Sequence, residues 1–159
     1  MLPGFWVLLV QPVYSVGMNE LPNSELRKKV IKMLGGRGIT PTRQRVDIGQ
    51  CLFVKDQHIT ADQLREQLKQ TFGEVSKATI YNTLGLFAAE GLLREVIVDP
   101  SKHVYDTNAS KHHHLYNIDT GGLRDIDPAE IKLSGLPYLG EGVEIEDVDI
   151  VVRVRNTNK

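Results

Sequence analysis

The stretch of sequence that decides the fold lies at residues 75–91 and reads VSKATIYNTLGLFAAEG. Ser76 is a typical helix-capping residue, the apolar residues after it recur at helical spacing, and Gly91 ends the pattern. We therefore predict a helix from Lys77 to Glu90. The side chains at its start are mostly short polar or cationic groups of the kind that reach phosphates and base edges in DNA: Ser76, Lys77, Thr79, Tyr81 and Asn82.

Three segments before this helix also carry helical patterns. Their predicted caps are Asn23 or Ser24, then Thr40 with Pro41 at the first helical position, then Thr60. After Gly91 the pattern changes, and residues 92–98 and 103–106 are predicted as two strands around a turn. Helices followed by a two-stranded wing predict a winged helix-turn-helix domain over residues 18–107. The helix after Ser76 would then lie in the major groove of DNA.

Charge is unevenly distributed along the chain, whose formal net charge is −1. Residues 24–98 carry 12 Lys and Arg against 8 Asp and Glu, whereas residues 99–159 carry 7 against 11. The basic part suits a polyanion such as DNA and the acidic part suits cations, although scatter on a neutral protein would give the same counts. Because the basic excess is modest for a DNA-binding protein, we expect a dimer that doubles the contacts.

Composition excludes several classes of protein. Hydrophobic residues make up 41% of the chain and charged residues 25%, the balance of a folded soluble protein. The single cysteine, Cys51, excludes an internal disulfide framework and a Cys-rich zinc site, suits a reducing cytoplasm and is expected to be buried. Residues 1–17 form an apolar extension that fits neither a spanning helix nor a secretory signal, and a translation start at Met18 is the alternative. Without a His-Glu-x-x-His pattern or a glycine-rich nucleotide loop, an enzyme is not expected.

The acidic part carries four of the five histidines, three of them in the run KHHHL at residues 111–115. Strand alternation places His112 and His114 on one face, roughly 6.5–7 Å apart, and His113 on the other. Two imidazoles on one face can share a divalent ion if carboxylates converge on them, and Asp106 and Asp125 are placed to supply these. The alternatives are axial ligation of haem and a solvated polar cluster.

Residues 108–159 are predicted to form a small second domain. Gly121-Gly122 indicates a hairpin, a short helix is expected from Ala129 to Leu133, and residues 143–146 and 148–155 alternate like a half-exposed strand. Pairing of the last strand with a second copy would build a homodimer, and packing on the first domain is the alternative. The predicted fold class is α+β, with an N-terminal winged helix-turn-helix lobe followed by a small α/β dimerisation lobe with an antiparallel sheet.

Four motifs, in this order and spacing, resemble the ferric uptake regulator (Fur) family: GITPTRQR at 38–45, HITAD at 58–62, VSKATIYNTL at 75–84 and KHHHL at 111–115. The resemblance runs from about residue 24 to residue 155 and is greatest to the iron response regulator (Irr) branch of alphaproteobacteria. It implies a homodimeric, cytoplasmic transcription regulator of A/T-rich inverted-repeat operators in double-stranded DNA. Arg43, Thr79 and Tyr81 are implied to approach the DNA.

The resemblance also implies the regulatory ligands. Five residues match the family's metal site, which ties the two lobes together: His58, Asp106, His112, His114 and Asp125. A second metal site matches in part, with His113, Glu130 and Glu141 as its candidates. The Irr branch implies haem binding by His58, His112, His113 and His114, with a haem-delivering enzyme as a partner. Manganese, iron and zinc all accept histidine and carboxylate ligands, so the sequence does not choose among them.

Two departures from the family narrow these expectations. Residues 119–121 read DTG where the family has Asp-Cys-Gly, so a structural zinc held by four cysteines is not expected, and the Cys-Pro haem motif is also missing.

We expect the lobes to be joined only near residues 107–111. A divalent ion would then fix the angle between them, and so the spacing of the two recognition helices in a dimer. The alternative function is a haem or divalent-metal carrier that does not bind DNA.

Overall fold

The computed structural model describes residues 24–99 and 102–157, and the predicted extension at residues 1–17 lies outside them. The first lobe consists of α1 (Ser24–Gly36), α2 (Arg43–Leu52), β1 (His58–Ile59), α3 (Ala61–Thr71), α4 (Lys77–Ala89), β2 (Arg94–Asp99) and β3 (Lys102–Asp106). The second lobe contains β4 (His113–Asn117), β5 (Leu123–Ile126), a 3₁₀ turn (Pro128–Glu130) and β6 (Val151–Val154). The predicted α+β fold, with a winged helix-turn-helix lobe and a small second lobe, is confirmed.

Side chains that accept backbone N–H groups define where α3 and α4 begin. The Ser76 hydroxyl accepts a hydrogen bond from the Thr79 N–H at 3.1 Å, as expected of a cap. Thr60 and Gln63 form a reciprocal capping box, in which each side chain accepts from the other residue's N–H. Both helices therefore start where the sequence predicts.

The predicted start of α2 at Thr40-Pro41 is wrong by two residues. Thr42 holds an extended backbone, and its hydroxyl accepts from the Arg45 N–H at 3.4 Å, so the helix begins at Arg43. The Thr40 carbonyl accepts from the Thr42 N–H and from the Arg45 guanidinium instead. Two threonines of equal capping ability flank the proline, and the contacts of Arg45 favour the second.

The helices of the first lobe pack on one apolar core. Its large, fully buried side chains come from all four helices and from β1: Leu34, Ile48, Leu52, Ile59, Leu64, Leu68, Ile80, Leu84 and Phe87. Helices α1 and α2 approach each other closely at Gly49, where a β-carbon would lie 2.6 Å from Val30 Cγ1. A β-carbon at this position would therefore fit only if Val30 moved. Cys51 is buried, as expected.

The wing sheet has the strand order β1-β3-β2, with antiparallel pairs. Its two long strands are those that the sequence predicts, whereas β1 was not predicted, because two residues are too few to carry a strand pattern. In the register of this sheet, Asp106 lies opposite His58 on one side and opposite Arg94 on the other. The short strand β1 thus brings His58 beside Asp106.

The second sheet has the strand order β5-β4-β6 and is mixed. β4 and β5 pair antiparallel as predicted, but β6 runs parallel to β4, with His114 opposite Val151. The parallel pairing is possible because β5 ends beside the start of β4, with Ile126 opposite His113, and the connection at residues 127–150 passes to the other side of β4 at that same end.

Two elements predicted for the second lobe are corrected. The helix expected from Ala129 to Leu133 is a single 3₁₀ turn, because the backbone is already extended at Ile131. The strand expected over residues 143–146 and 148–155 is confined to Val151–Val154, the part that pairs with β4. A strand needs a partner as well as an alternating pattern, and residues 143–146 have none within the described chain.

The prediction that the lobes are joined only near residues 107–111 is wrong, because their two sheets also contact each other. Val96, Val98 and Val104 of the wing sheet form an apolar cluster with Tyr116 of the second sheet. The Arg153 guanidinium on β6 donates to the Val98 carbonyl, with Nη2 at 2.7 Å. Among the described residues, no helix combines the length and the apolar character needed to cross a membrane.

Candidate metal centre

Five side chains from both lobes converge at one point between the two sheets. His58 lies on β1 and Asp106 on β3, whereas His112 precedes β4, His114 lies on β4 and Asp125 on β5. One potential ligand atom from each residue lies within 4.8 Å of all the others. These are the five residues that the family resemblance implies as metal ligands.

Asp106 lies at the centre of this cluster and is 1% exposed. Its Oδ2 atom lies 2.7 Å from His112 Nε2, 3.2 Å from His114 Nε2 and 3.6 Å from His58 Nε2. Burial alone would raise the pKa of Asp106. Contacts with His114 and His58 and the N–H of Asn108 outweigh burial and hold that pKa well below its ordinary value, so the carboxyl is ionised at neutral pH.

Asp125 forms the solvent side of the cluster, since its side chain is 40% exposed. Its Oδ1 atom lies 2.8 Å from His58 Nε2 and 3.4 Å from His112 Nε2. Burial would lower the pKa of His58, but the carboxylates of Asp106 and Asp125 outweigh it and raise that pKa above its ordinary value. His58 therefore holds a proton more tightly than a free imidazole.

The hydrogen bonds around the rings fit a cation at the centre. His112 Nδ1 lies 2.8 Å from the Ser110 carbonyl, which can only accept, so Nδ1 donates to it and Nε2 is the nitrogen that faces the cluster and could bind a metal through its lone pair. This Nε2 atom faces the Asp106 carboxylate and lies 3.0 Å from His114 Nε2. His58 Nε2 is buried and makes no well-aligned hydrogen bond to any described residue. Acceptors this close repel one another unless a proton or a metal ion lies between them.

The donor set is three imidazole nitrogens and two carboxylate oxygens. Such a mixture suits Zn²⁺, Fe²⁺ and Mn²⁺ better than Ca²⁺ or Mg²⁺, which prefer oxygen ligands alone. The residues present therefore fit a divalent transition metal.

The candidates for a second metal site do not come together. His113 is half-buried and points away from the cluster, and its buried Nδ1 atom has no hydrogen-bond partner in the described part of the chain. Glu130 is exposed and caps the 3₁₀ turn by accepting from the Asp127 N–H, and Glu141 is exposed. Across residues 24–99 and 102–157, the five-residue cluster is the one group of three or more His, Cys, Asp or Glu side chains that could hold a metal ion.

The geometry of His58, His112 and His114 does not provide an open face for haem. His112 and His114 are buried, and their ring centroids lie 4.6 Å apart in an edge contact. His58 makes a similar contact with His114 at 5.3 Å. Axial ligation needs a ring nitrogen that a porphyrin plane can approach, and in this arrangement the nitrogens face each other.

The residues expected to contact DNA lie at the start of α4, except Arg43 at the start of α2. Tyr81 is exposed, and so is Lys77, whose ammonium group lies 3.5 Å from the Asp62 carboxylate on α3. Ser76 and Asn82 are also exposed, and Thr79 is half-buried. The Arg43 guanidinium lies 3.6 Å from Asp47, four residues along α2. Sequence reasoning missed both carboxylate partners, although the spacing of four residues between Arg43 and Asp47 was a readable signal.

Residues 36–153 match the profile of the ferric uptake regulator family. The Ferric uptake regulation protein of Pseudomonas aeruginosa is 33% identical over 136 residues, which cover 84% of this chain and 96% of that protein. The peroxide-responsive repressor PerR of Staphylococcus aureus is 34% identical over 102 residues, which cover 64% of this chain and 69% of the repressor. Among solved structures, the Ferric uptake regulator from Pseudomonas aeruginosa with manganese superposes with a TM-score of 0.64 at 26% identity, covering 81% of this chain and 98% of that one.

Proposed function

The chain belongs to the ferric uptake regulator family, and on that premise we propose that it is a dimeric, metal-responsive transcription regulator of the cytoplasm. The relatives named above are regulators rather than enzymes by their names. The family match over residues 36–153 covers both lobes and the α4 helix, which a carrier without DNA function would not need. A regulator is therefore favoured over a haem or metal carrier.

The observation that carries the proposal is the five-residue cluster between the lobes. His58 and Asp106 belong to the winged-helix lobe, whereas His112, His114 and Asp125 belong to the second lobe. When bound there, a divalent ion supplies the positive charge that these close nitrogens and carboxylates require. Side chains of both lobes then hold one ion, so the affinity of the site for the metal depends on how the lobes are oriented.

Lobe orientation is the quantity that connects this site to DNA. In a dimer, the angle of each winged-helix lobe sets the distance between the two α4 helices, which must match half-sites about one helical turn or a multiple apart. We propose that Arg43, Ser76, Lys77, Thr79, Tyr81 and Asn82 contact the operator, an A/T-rich inverted repeat. Metal binding at the five residues changes DNA affinity only to the extent that the metal binds more tightly in one lobe orientation than in the other.

The donor set supports a divalent metal as the signal. The three imidazoles and two carboxylates accept Mn²⁺, Fe²⁺ or Zn²⁺, and the Pseudomonas aeruginosa relative was solved with manganese. Haem control, which the resemblance to the Irr branch implies, would require the buried histidines to open first. We therefore propose a divalent metal as the direct ligand of His58, Asp106, His112, His114 and Asp125.

Titration of the metal-free protein with Mn²⁺, Fe²⁺ and haem tests this function, with binding to a labelled A/T-rich inverted-repeat duplex measured at fixed salt. We expect the metals to tighten DNA binding and His58→Ala to remove that effect. His103→Ala, which removes a histidine outside the cluster, is the matched control for metal binding by calorimetry. DNA binding that is indifferent to both metals, or a metal effect that persists in His58→Ala, would contradict the proposal.

A further inference from the structure

One side chain outside the metal cluster holds the two lobes together at the cluster's edge. Arg94 lies on β2, in register with Asp106 across the wing sheet, and its side chain is 16% exposed. Its guanidinium reaches out of the wing sheet and into the second lobe. Sequence reasoning gave it no role, since a basic residue in a short strand is ordinarily a solvated one.

The contacts of Arg94 use both ends of its guanidinium fork. Nη1 donates to the carbonyl of Ser110 at 3.0 Å and to the carbonyl of His112 at 3.2 Å. Nη2 donates to the Asp149 carboxylate and lies 3.6 Å from the Asp147 carboxylate. One arginine thus binds the segment that leads into β4 and the segment that leads into β6.

We propose that Arg94 is a positioning residue that fixes the backbone of His112, and with it the second lobe, against the wing sheet. The inference rests on the proposed metal site. The Ser110 carbonyl accepts from both Arg94 and His112 Nδ1, so the same backbone atom orients the imidazole and receives the arginine. Arg94 therefore acts on a ligand through its backbone, as residues in the second layer around a metal commonly do.

The ion pairs of Arg94 with carboxylates depend on different properties from its hydrogen bonds to backbone carbonyls. The Asp147 and Asp149 side chains are 43% and 62% exposed, so salt screens their attraction to Arg94. The carbonyl contacts need the planar fork of an arginine, which a lysine does not supply. Loss of the carboxylates should therefore weaken the contact in part, whereas loss of the guanidinium should remove it.

The test measures backbone hydrogen exchange in the metal-free protein and Mn²⁺ affinity by calorimetry. We expect Arg94→Met to accelerate exchange at residues 107–112 while leaving α2 protected, and to weaken Mn²⁺ binding by roughly 10–100-fold. Arg94→Lys should restore little of the loss. The Asp147→Asn, Asp149→Asn double variant should give a smaller change of the same kind, and Glu144→Gln, which removes a charge from the same segment, should give none.

Each outcome bears on a separate claim. Unchanged exchange at residues 107–112 and unchanged Mn²⁺ affinity in Arg94→Met would overturn the positioning role. Faster exchange throughout α2 would show a general loss of stability and overturn it as well. If Arg94→Met fails to fold, the double aspartate variant decides, since both side chains are exposed and outside the core. A wild-type protein that does not bind Mn²⁺ would contradict the proposed function, while the exchange data would still test Arg94.

Discussion

Replacing Gly49 by alanine should destabilise the protein through a single steric overlap. The new β-carbon would lie 2.6 Å from Val30 Cγ1, more than 1 Å inside ordinary carbon contact, and Val30 is a buried, β-branched side chain with little room to move. Overpacking of this kind costs about 1–3 kcal/mol, whereas alanine in place of glycine inside a helix returns about 1 kcal/mol. The net loss for Gly49→Ala is therefore about 0–2 kcal/mol.

The matched control is Gly85→Ala in α4, where a β-carbon would meet no atom within 4 Å. This variant should gain up to about 1 kcal/mol from helix propensity alone. The two variants should thus differ by about 1–3 kcal/mol in free energy of unfolding, measured by urea titration of the metal-free protein. Removing the clashing methyl groups with Val30→Ala should reduce the cost of Gly49→Ala by a similar amount.

Two results would refute this reasoning about the α1–α2 contact. One is a Gly49→Ala variant that is as stable as Gly85→Ala. The other is a cost that stays the same in the Val30→Ala background, because the overlap would then lie elsewhere.

Further predictions concern a thiol, the metal site and DNA. Burial raises the pKa of the Cys51 thiol to about 12, so at pH 8 its reaction with a thiol reagent should be on the order of 10³-fold slower in the native than in the unfolded protein; equal rates would refute the burial. The raised pKa of His58 means that its proton stabilises the metal-free fold below about pH 6.5 and that this contribution is lost as the pH rises through the raised value. Mn²⁺ affinity should accordingly increase over that window in calorimetry, because metal binding displaces the proton, and a flat profile would contradict it. Lys77→Gln should reduce the slope of log K for DNA against log salt by about 1 per bound lysine–phosphate contact, whereas an unchanged slope would place Lys77 away from the phosphates.

The helical part of the fold was predictable because its signals are local. Ser76 and Thr60 cap helices within three residues of themselves, and apolar spacing defines the buried faces. The start of α2 was not, because Thr40 and Thr42 are equally good caps and the choice depends on side-chain contacts of Arg45 that no local pattern records.

The candidate site was predictable only in part from the residues themselves. Strand alternation indicated that His112 and His114 share a face, and Asp106 and Asp125 followed as candidate carboxylates. His58 was named by the resemblance alone, since it reaches the others through the two-residue strand β1. Pairing between distant strands is a property of the folded chain that spacing along the sequence does not carry.

In the second lobe, a local pattern predicted a strand where the folded chain provides no pairing partner. Alternation of apolar and acidic residues at 143–146 predicts a strand, yet only Val151–Val154 pairs with β4, and in parallel. Arg94 and Arg153 also escaped notice, although both donate to backbone carbonyls across the lobe boundary. A charged residue in a strand does not reveal from sequence whether it faces water or another lobe.

The most direct test of the central claim is calorimetric Mn²⁺ binding to the metal-free protein, with one ligand removed from each lobe. His58→Ala takes a ligand from the wing sheet and His114→Ala takes one from the second sheet. If the lobes share one site, each variant should bind Mn²⁺ more weakly, and the double variant should lose less than the sum of the two losses in free energy. Unchanged affinity in either single variant, or losses that add fully, would show that the two lobes do not hold one ion between them.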